Sequence, residues 1–407
     1  MEDLEISNEK LRLGFTFDHN KCIICGACVE ACNKAYGGNW RVLPVFELGE
    51  AKTALSISCN HCDNPVCLKS CPALAISKDE RGIVAIDQDK CIGCSYCQWA
   101  CPYEALHLSK EGTMTKCHLC KDRLGNGMPY CVESCPTGAL TFGWLDKPDG
   151  DVNYLAPPTI TSPRLKINPP KEEIRASPIK EKKEERALGL ISFTLGSEIA
   201  LAYSLFKMPY FQVVSFLLLA ITLLISIGHA RVSTRSLRVI LNQSTSWLSR
   251  EVLFGGLGSI TFLIDALFNR DFLYYLALIF TVVAVASSIM IYMLKSRPSW
   301  YNLDTPVSFI GTAFTVVTPL VYLFSHQPLA LILGGAFALL EIFSARRKAT
   351  MGFKDRRILN IAYIVLLLAG LLIPYLELVA FGLALASEVI HRREFFQKVI
   401  YYGVPGV

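Results

Sequence analysis

The sequence predicts an α+β head followed by an all-α polytopic membrane bundle of about eight transmembrane helices. Three observations predict it. All 16 cysteines of the 407-residue chain lie between Cys22 and Cys135. Beyond about residue 186, Leu, Ile, Val, Phe and Ala dominate stretches that approach the ~20 residues needed to cross a hydrocarbon core. Between the two, prolines and charges replace any periodic pattern. The domains expected are therefore 1–145, a linker over 146–186, and a membrane domain over 187–407.

The cysteines form four groups of four. Cys22, Cys25, Cys28 and Cys32 read C-x2-C-x2-C-x3-C, and Cys91, Cys94, Cys97 and Cys101 repeat that spacing before a proline. Cys59, Cys62, Cys67 and Cys71 read C-x2-C-x4-C-x3-C-P, and Cys117, Cys120, Cys131 and Cys135 read C-x2-C-x10-C-x3-C-P. A cubane cluster needs four thiolates aimed at four irons. A C-x2-C-x2-C loop wraps three of them around one cube, and in two-cluster ferredoxins the fourth cysteine, before proline, serves the neighbouring cluster. Gly26 and Gly93 flank ligands where the backbone must turn closely around a cluster. Sixteen ligands make four 4Fe-4S clusters without remainder, and no ligand position is taken by Trp or Asp. Four-cysteine zinc sites also use C-x2-C pairs but rarely the triple repeat, and a disulfide framework belongs to small secreted chains. The fold expected of the head is thus α+β ferredoxin-like, two tandem two-cluster ferredoxin units. Arg81–Lys90 reads as a short strand entering the third group. CPALAI (Cys71 to Ile76), CPYEALHL (Cys101 to Leu108) and CPTGALTF (Cys135 to Phe142) recur as one duplicated unit.

The linker carries Pro148, Pro157, Pro158, Pro163, Pro169, Pro170 and Pro178, then the charge run KEEIRASPIKEKKEER. Such a composition predicts an extended, semi-rigid segment. Apolar stretches follow at roughly 187–206, 210–229, 248–268, 272–294, 305–324, 328–344, 358–374 and 376–391. Alternate connections hold 21 Lys/Arg on one side and only Lys207 and Arg270 on the other. By the positive-inside rule, an even number of spans places both termini and the cysteine-rich domain on the cytoplasmic side. The first residues, MEDLEISNEK, lack the apolar core of a signal peptide and any twin-arginine pair.

Ionisable residues in or at the ends of spans are costly and default to functional candidates. Here they are Glu198, His229, Glu251, Asp265, Glu341, Glu377 and Glu388. A plainer expectation is pairing at a helix end, as between Glu388 and Arg392 at i,i+4. His229, His326 and His391 lie on different segments, so no bis-histidine haem is expected.

With these motifs in place, residues 10–145 resemble the four-cluster electron-transfer subunit of the DMSO reductase family of molybdoenzymes. Residues 187–402 resemble the eight-helix anchor subunit of the same complexes through ISIGHARVSTRSLRVILNQSTSWLSREV (Ile225–Val252), RPSWYNLDTPVSF (Arg297–Phe309) and ASEVIHRREFF (Ala386–Phe396). Two departures stand out: the two subunits are fused, and the usual His-Leu-Gly is His229-Ala230-Arg231. The resemblance implies crossed ligand sets: Cys22, Cys25, Cys28 with Cys135; Cys117, Cys120, Cys131 with Cys32; Cys59, Cys62, Cys67 with Cys101; and Cys91, Cys94, Cys97 with Cys71. It also implies a quinol site at His229 and Glu251, a base and a carboxylate suited to the two protons that quinol oxidation releases. The alternative at those positions is a helix-capping His229 and a Glu251 paired with Arg250 or Arg231.

The function implied is electron transfer from menaquinol or another membrane quinol, through four 4Fe-4S clusters, to a separate molybdopterin-containing catalytic subunit that reduces an S-oxide, N-oxide or sulfur compound. The same wiring could run in reverse into quinone, or the membrane half could be a docking platform without quinone chemistry. Lipid and quinone are the other partners expected; nucleic acid is not.

Overall fold

The computed structural model describes residues 12–145, 150–183, 188–228, 230–350 and 356–407. The N-terminal decapeptide and His229 lie outside them. The chain divides into two compact units. The first holds the described residues up to Lys180 together with Lys295–Pro298 and Ile400–Val407; the second holds Glu181–Leu294 and Ser299–Val399.

The first unit is α+β. Strand β1 (Arg12–Asp18) alternates, burying Leu13, Phe15 and Phe17, as a half-buried strand must. It pairs antiparallel with β8 (Leu140–Leu145) and parallel with β9 (Leu165–Asn168). Three antiparallel hairpins accompany this sheet: β2 (Val45–Leu48) with β3 (Ala51–Ala54), β4 (Ile76–Lys78) with β5 (Val84–Ile86), and β6 (His107–Leu108) with β7 (Met114–Thr115). Strand β5 falls inside the strand expected over Arg81–Lys90. Of four short helices, α1 (Ala27–Tyr36) carries Cys28 and Cys32, and α2 (Val66–Ser70), α3 (Tyr96–Ala100) and α4 (Tyr130–Glu133) carry Cys67, Cys97 and Cys131, one from each remaining group. The Cys-Pro units that follow α2, α3 and α4 lead into β4, β6 and β8, which is the recurrence read from the sequence.

Part of the segment expected as a linker is built into this unit. Strand β9 completes the sheet beside β1, and Tyr154, Leu155, Ala156, Ile167 and Ile174 are buried in the same core as β1. Enough apolar side chains punctuate the prolines to anchor the stretch. Strands β10 (Ile179–Lys183) and β11 (Lys398–Tyr402) also pair with each other.

The second unit is helical: α5 (Leu188–Leu205), α6 (Phe211–Ile227), α7 (Trp247–Phe268), α8 (Asp271–Tyr292), α9 (Asp304–Ser325), α10 (Pro328–Thr350), α11 (Arg357–Ala369) and α12 (Leu376–Gln397). Helices α7 to α10 are long and apolar enough to span a membrane; α5, α6 and α11 are shorter and equally apolar. Neighbour packing closes two rings of four, α5–α8 and α9–α12, joined chiefly through α5 against α9 and α12. The outer surface is apolar, with Leu224, Leu267, Phe272, Phe343 and Leu372 exposed. The interior is lined by small polar residues such as Ser197, Ser259, Thr281, Ser287 and Thr312. This inversion suits lipid, where apolar side chains gain nothing by leaving the surface and small residues let helices approach.

Candidate functional site

The cysteine groups fold by local backbone turns. Within them Ile24, Gly26, His61, Gly93, Ser95 and Leu119 adopt left-handed conformations. Successive turns of this kind point backbone N–H groups into a common concavity. Some already reach sulfur: Ala75 N–H donates to Cys71 Sγ at 3.3 Å, Met114 N–H to Cys91 Sγ at 3.3 Å and Leu119 N–H to Cys117 Sγ at 3.4 Å.

The fold brings the groups together crosswise. Cys71, Cys91, Cys94 and Cys97 line one cavity. Cys59, Cys62, Cys67 and Cys101 line a second, and Cys32, Cys117, Cys120 and Cys131 a third. Cys22 stands beside Cys25, Cys28 and Cys135, with Cys25 exposed. All sixteen are free thiols. Among the described residues no three His, Cys, Asp or Glu side chains are close enough to share a single metal ion. Four thiols set apart around one cavity, with N–H groups aimed at sulfur, suit a cube of iron and sulfide.

Burial pushes the Cys67, Cys94 and Cys117 thiols up to about 12. Burial also raises Cys135, but N–H groups of Leu140, Thr137 and Ala139 and the Thr137 hydroxyl outweigh it and leave that thiol below its usual value. The cavities succeed one another. Cys28 of the first set lies near Cys32 and Cys131 of the next. Cys117 lies near Cys59, and Cys67 near Cys97.

Two buried cations, absent from the sequence reading, stand at these junctions. Arg41 is 1% exposed and donates to Ser56 O at 3.2 Å, Ser56 Oγ at 3.0 Å and Ser58 Oγ at 2.9 Å. Ser56 Oγ is in turn 3.2 Å from Cys28 Sγ. Burial opposes the guanidinium charge, yet Cys131, Cys117, Cys28 and Cys32 raise it above its ordinary range. Lys116 is buried and donates to Val84 O and to Cys117 O; it is held up in the same way by Cys59, Cys67 and Cys117. The signal for Lys116 was its place immediately before a ligand; nothing local marked Arg41. At the far end of the row, Trp99 lies between Cys97 and Cys101, and its carbonyl accepts from Ser296 Oγ at 2.8 Å and Arg297 Nε at 3.3 Å.

In the membrane unit Glu251 is buried, beside Ser288 of α8. Arg250 turns away to donate to Gln243 O at 2.9 Å and Ser244 O at 2.6 Å. Asp265 is buried near the end of α7, where its Oδ1 accepts from Arg270 N–H at 3.1 Å. The expected Glu388–Arg392 pair is replaced. Arg392 donates to both Glu198 oxygens, at 2.7 and 2.8 Å, and Glu388 is met by Thr312 at 2.7 Å, with Arg356 and His391 at 3.5 Å. Packing between helices set these partners where i,i+4 spacing suggested a local one.

Fold and cysteine chemistry together define an iron–sulfur electron-transfer protein carrying membrane helices. A family model described as a 4Fe-4S dicluster domain matches residues 51–145. The iron–sulfur subunit of anaerobic dimethyl sulfoxide reductase from Escherichia coli (strain K12) is 41% identical over 180 residues, covering 38% of this chain and 88% of that protein. Thiosulfate reductase electron transfer subunit PhsB of Salmonella typhi is 43% identical over 143 residues, 32% of this chain and 74% of its own length. A sulfite dehydrogenase subunit of Allochromatium vinosum is 34% identical over 174 residues, 35% of this chain and 72% of its own. Through its N-terminal part this protein belongs to the family of iron–sulfur subunits of dimethyl sulfoxide reductase and related molybdoenzyme complexes.

Proposed function

We propose that this chain is the electron-transfer and membrane-anchor subunit of a molybdopterin oxidoreductase complex. It takes electrons from menaquinol or another quinol and passes them to a separate catalytic subunit that reduces an S-oxide, N-oxide or sulfur compound. The observation that carries this reading is the unbroken row of four cysteine sets in crossed pairing, each with a member near the next. When bound there, four 4Fe-4S clusters would supply one-electron steps.

The chain's own residues do the rest. The sixteen cysteines hold the irons, the turned N–H groups offset charge on sulfur, and Arg41 and Lys116 offset the thiolates where two sets meet. Buried apolar residues such as Leu55, Ile83 and Leu119 keep water out. In the membrane unit, Glu251 in its buried setting and His229 would accept the two quinol protons. The Lys/Arg asymmetry of the connections supports a cytoplasmic position for the cysteine-rich unit.

Substituting His229→Ala is expected to abolish quinol-dependent reduction of the clusters, read by low-temperature EPR, while dithionite reduction and viologen-dependent activity persist. Equal loss of both, or of neither, would overturn the quinol site. The sulfite dehydrogenase relative favours a second reading, the same row run from substrate to quinone. Clusters that reduce with dithionite and stay oxidised with quinol would support that direction.

A further inference from the structure

The second helical ring buries a cluster of charged and polar side chains. On α12, His391 Nδ1 lies 3.1 Å from Ser308 Oγ and 3.5 Å from Glu388 Oε2. Its other ring nitrogen is 3.2 Å from Lys348 Nζ on α10. With Lys348 donating to Nε2, the proton of the neutral ring sits on Nδ1 and faces the Glu388 and Ser308 oxygens. Thr312 then joins Glu388 to the Arg392–Glu198 pair, accepting from Arg392 Nη2 at 3.3 Å. Beside them Glu341 of α10 is 3% exposed; its Oε2 accepts from Asn360 Nδ2 at 3.4 Å, and its Oε1 has no donor among the described residues.

The polar groups continue toward the opposite end of the ring. Thr318 Oγ1 and Tyr363 Oη are 3.1 Å apart, both buried. Glu377, at the start of α12, is fully buried with no donor at either oxygen among the described residues. Each of these stations faces a glycine. Gly311 adjoins Glu341, Gly334 adjoins Thr318 and Tyr363, and Gly370 adjoins Glu377; a Cβ at any of the three would collide with the polar group. Helix α12 rises about 1.5 Å per residue, so Glu377 and His391 stand about 21 Å apart along it, against a hydrocarbon core of about 30 Å.

Burying a carboxylate charge without a donor is strongly unfavourable, and a bound proton removes that charge. Glu377, with no donor, and Glu341, with a donor at one oxygen only, lie at different depths of one ring, and with the hydroxyl, imidazole and ammonium groups that follow they form a series of proton acceptors and donors. We infer that the α9–α12 ring, with Glu198 of α5, is a proton conduit leading from Glu377 through Glu341 and Glu388 to His391 and Lys348. Intervals longer than a hydrogen bond are crossed through water. A proton enters at one end as another leaves at the other; only O–H and N–H bonds change. This inference does not rest on the quinol reading.

The full-length chain, cluster-loaded and reconstituted in potassium-filled liposomes with an entrapped pH dye, tests it. Valinomycin imposes a potential that draws protons inward as potassium leaves. Wild type is expected to acidify the lumen faster than protein-free liposomes, and Glu377→Gln and Glu341→Gln each to reduce that excess at least tenfold. Iron content and the thermal transition of each variant show whether it is folded; should Glu341→Gln not insert, Glu377→Gln decides. Wild-type flux equal to that of protein-free liposomes, or folded Gln variants that conduct like wild type, would overturn the conduit. Quinol-driven cluster reduction in the same vesicles reports on the electron path separately, so the two readings fail independently.

Discussion

The two units bury charge in opposite ways. In the cysteine-rich unit the buried ionisable side chains at the centre are cations, Arg41 and Lys116, surrounded by thiols. In the membrane unit buried carboxylates predominate, with Glu198, Glu251, Glu341, Glu377 and Glu388 all at 4% exposure or less, and only some of them meet an arginine. A buried charge must be neutralised by something. The first unit leaves that task to thiolates and the clusters they would hold, the second to arginines and, where none reaches, to protons. Net positive groups favour an extra electron, and unpaired carboxyls favour an extra proton.

Four experiments test that contrast. The largest effect is expected in the first unit from Cys67→Ala, which removes one ligand of the Cys59–Cys101 set. Iron should fall from about 16 atoms per molecule to about 12, at four per cluster, and electron transfer through the row should stop. Retention of all the iron would show that Cys67 is not a ligand.

Next in size is the Arg392–Glu198 pair, which is wholly buried. Arg392→Met strands a carboxylate and should cost ~3–5 kcal/mol, whereas adding Glu198→Gln should restore much of it. Thermal unfolding in detergent measures both. Equal losses from the single and double variants would mean that the packing of Arg392 over Phe309, at 3.6 Å, matters more than its charge.

A smaller change should follow from Arg41→Gln or Lys116→Gln. Loss of a buried cation beside two cysteine sets makes the reduced state harder to reach. A tenfold shift in that equilibrium corresponds to about 59 mV for one electron, toward more negative potential in EPR-monitored titration. Unchanged potentials would reduce both residues to structural roles.

The smallest effect concerns acid. Burial pushes His19 down to about 4; it lies 3.1 Å from Thr53 Oγ1 and 2.8 Å from Tyr154 Oη. A folded value below the unfolded value of about 6.5 means that this contribution is present above about pH 6.5 and is lost as the pH falls toward 4. His19→Gln should flatten the decline in thermal stability of the cysteine-rich unit across that same interval. An unaltered slope would assign the acid sensitivity elsewhere.

Much of this protein was legible before any folding was considered. Cysteine spacing, the Cys-Pro recurrences and the eight apolar stretches depend on local sequence, because cluster loops and membrane helices are set by neighbours a few residues apart. The α+β head and the helical bundle follow from that periodicity. Long-range choices were not legible. The proline-rich segment 150–174 reads as a linker until β9 finds an edge beside β1. Arg41 is one arginine among many until Ser56 and Ser58 fold over it. Arg392 has an acid four residues before it, yet its charge is met by Glu198, 194 residues away. A local rule ranks partners by separation along the sequence. Burial at low dielectric rewards whichever partner the packed helices bring within reach, and only the tertiary structure decides which that is.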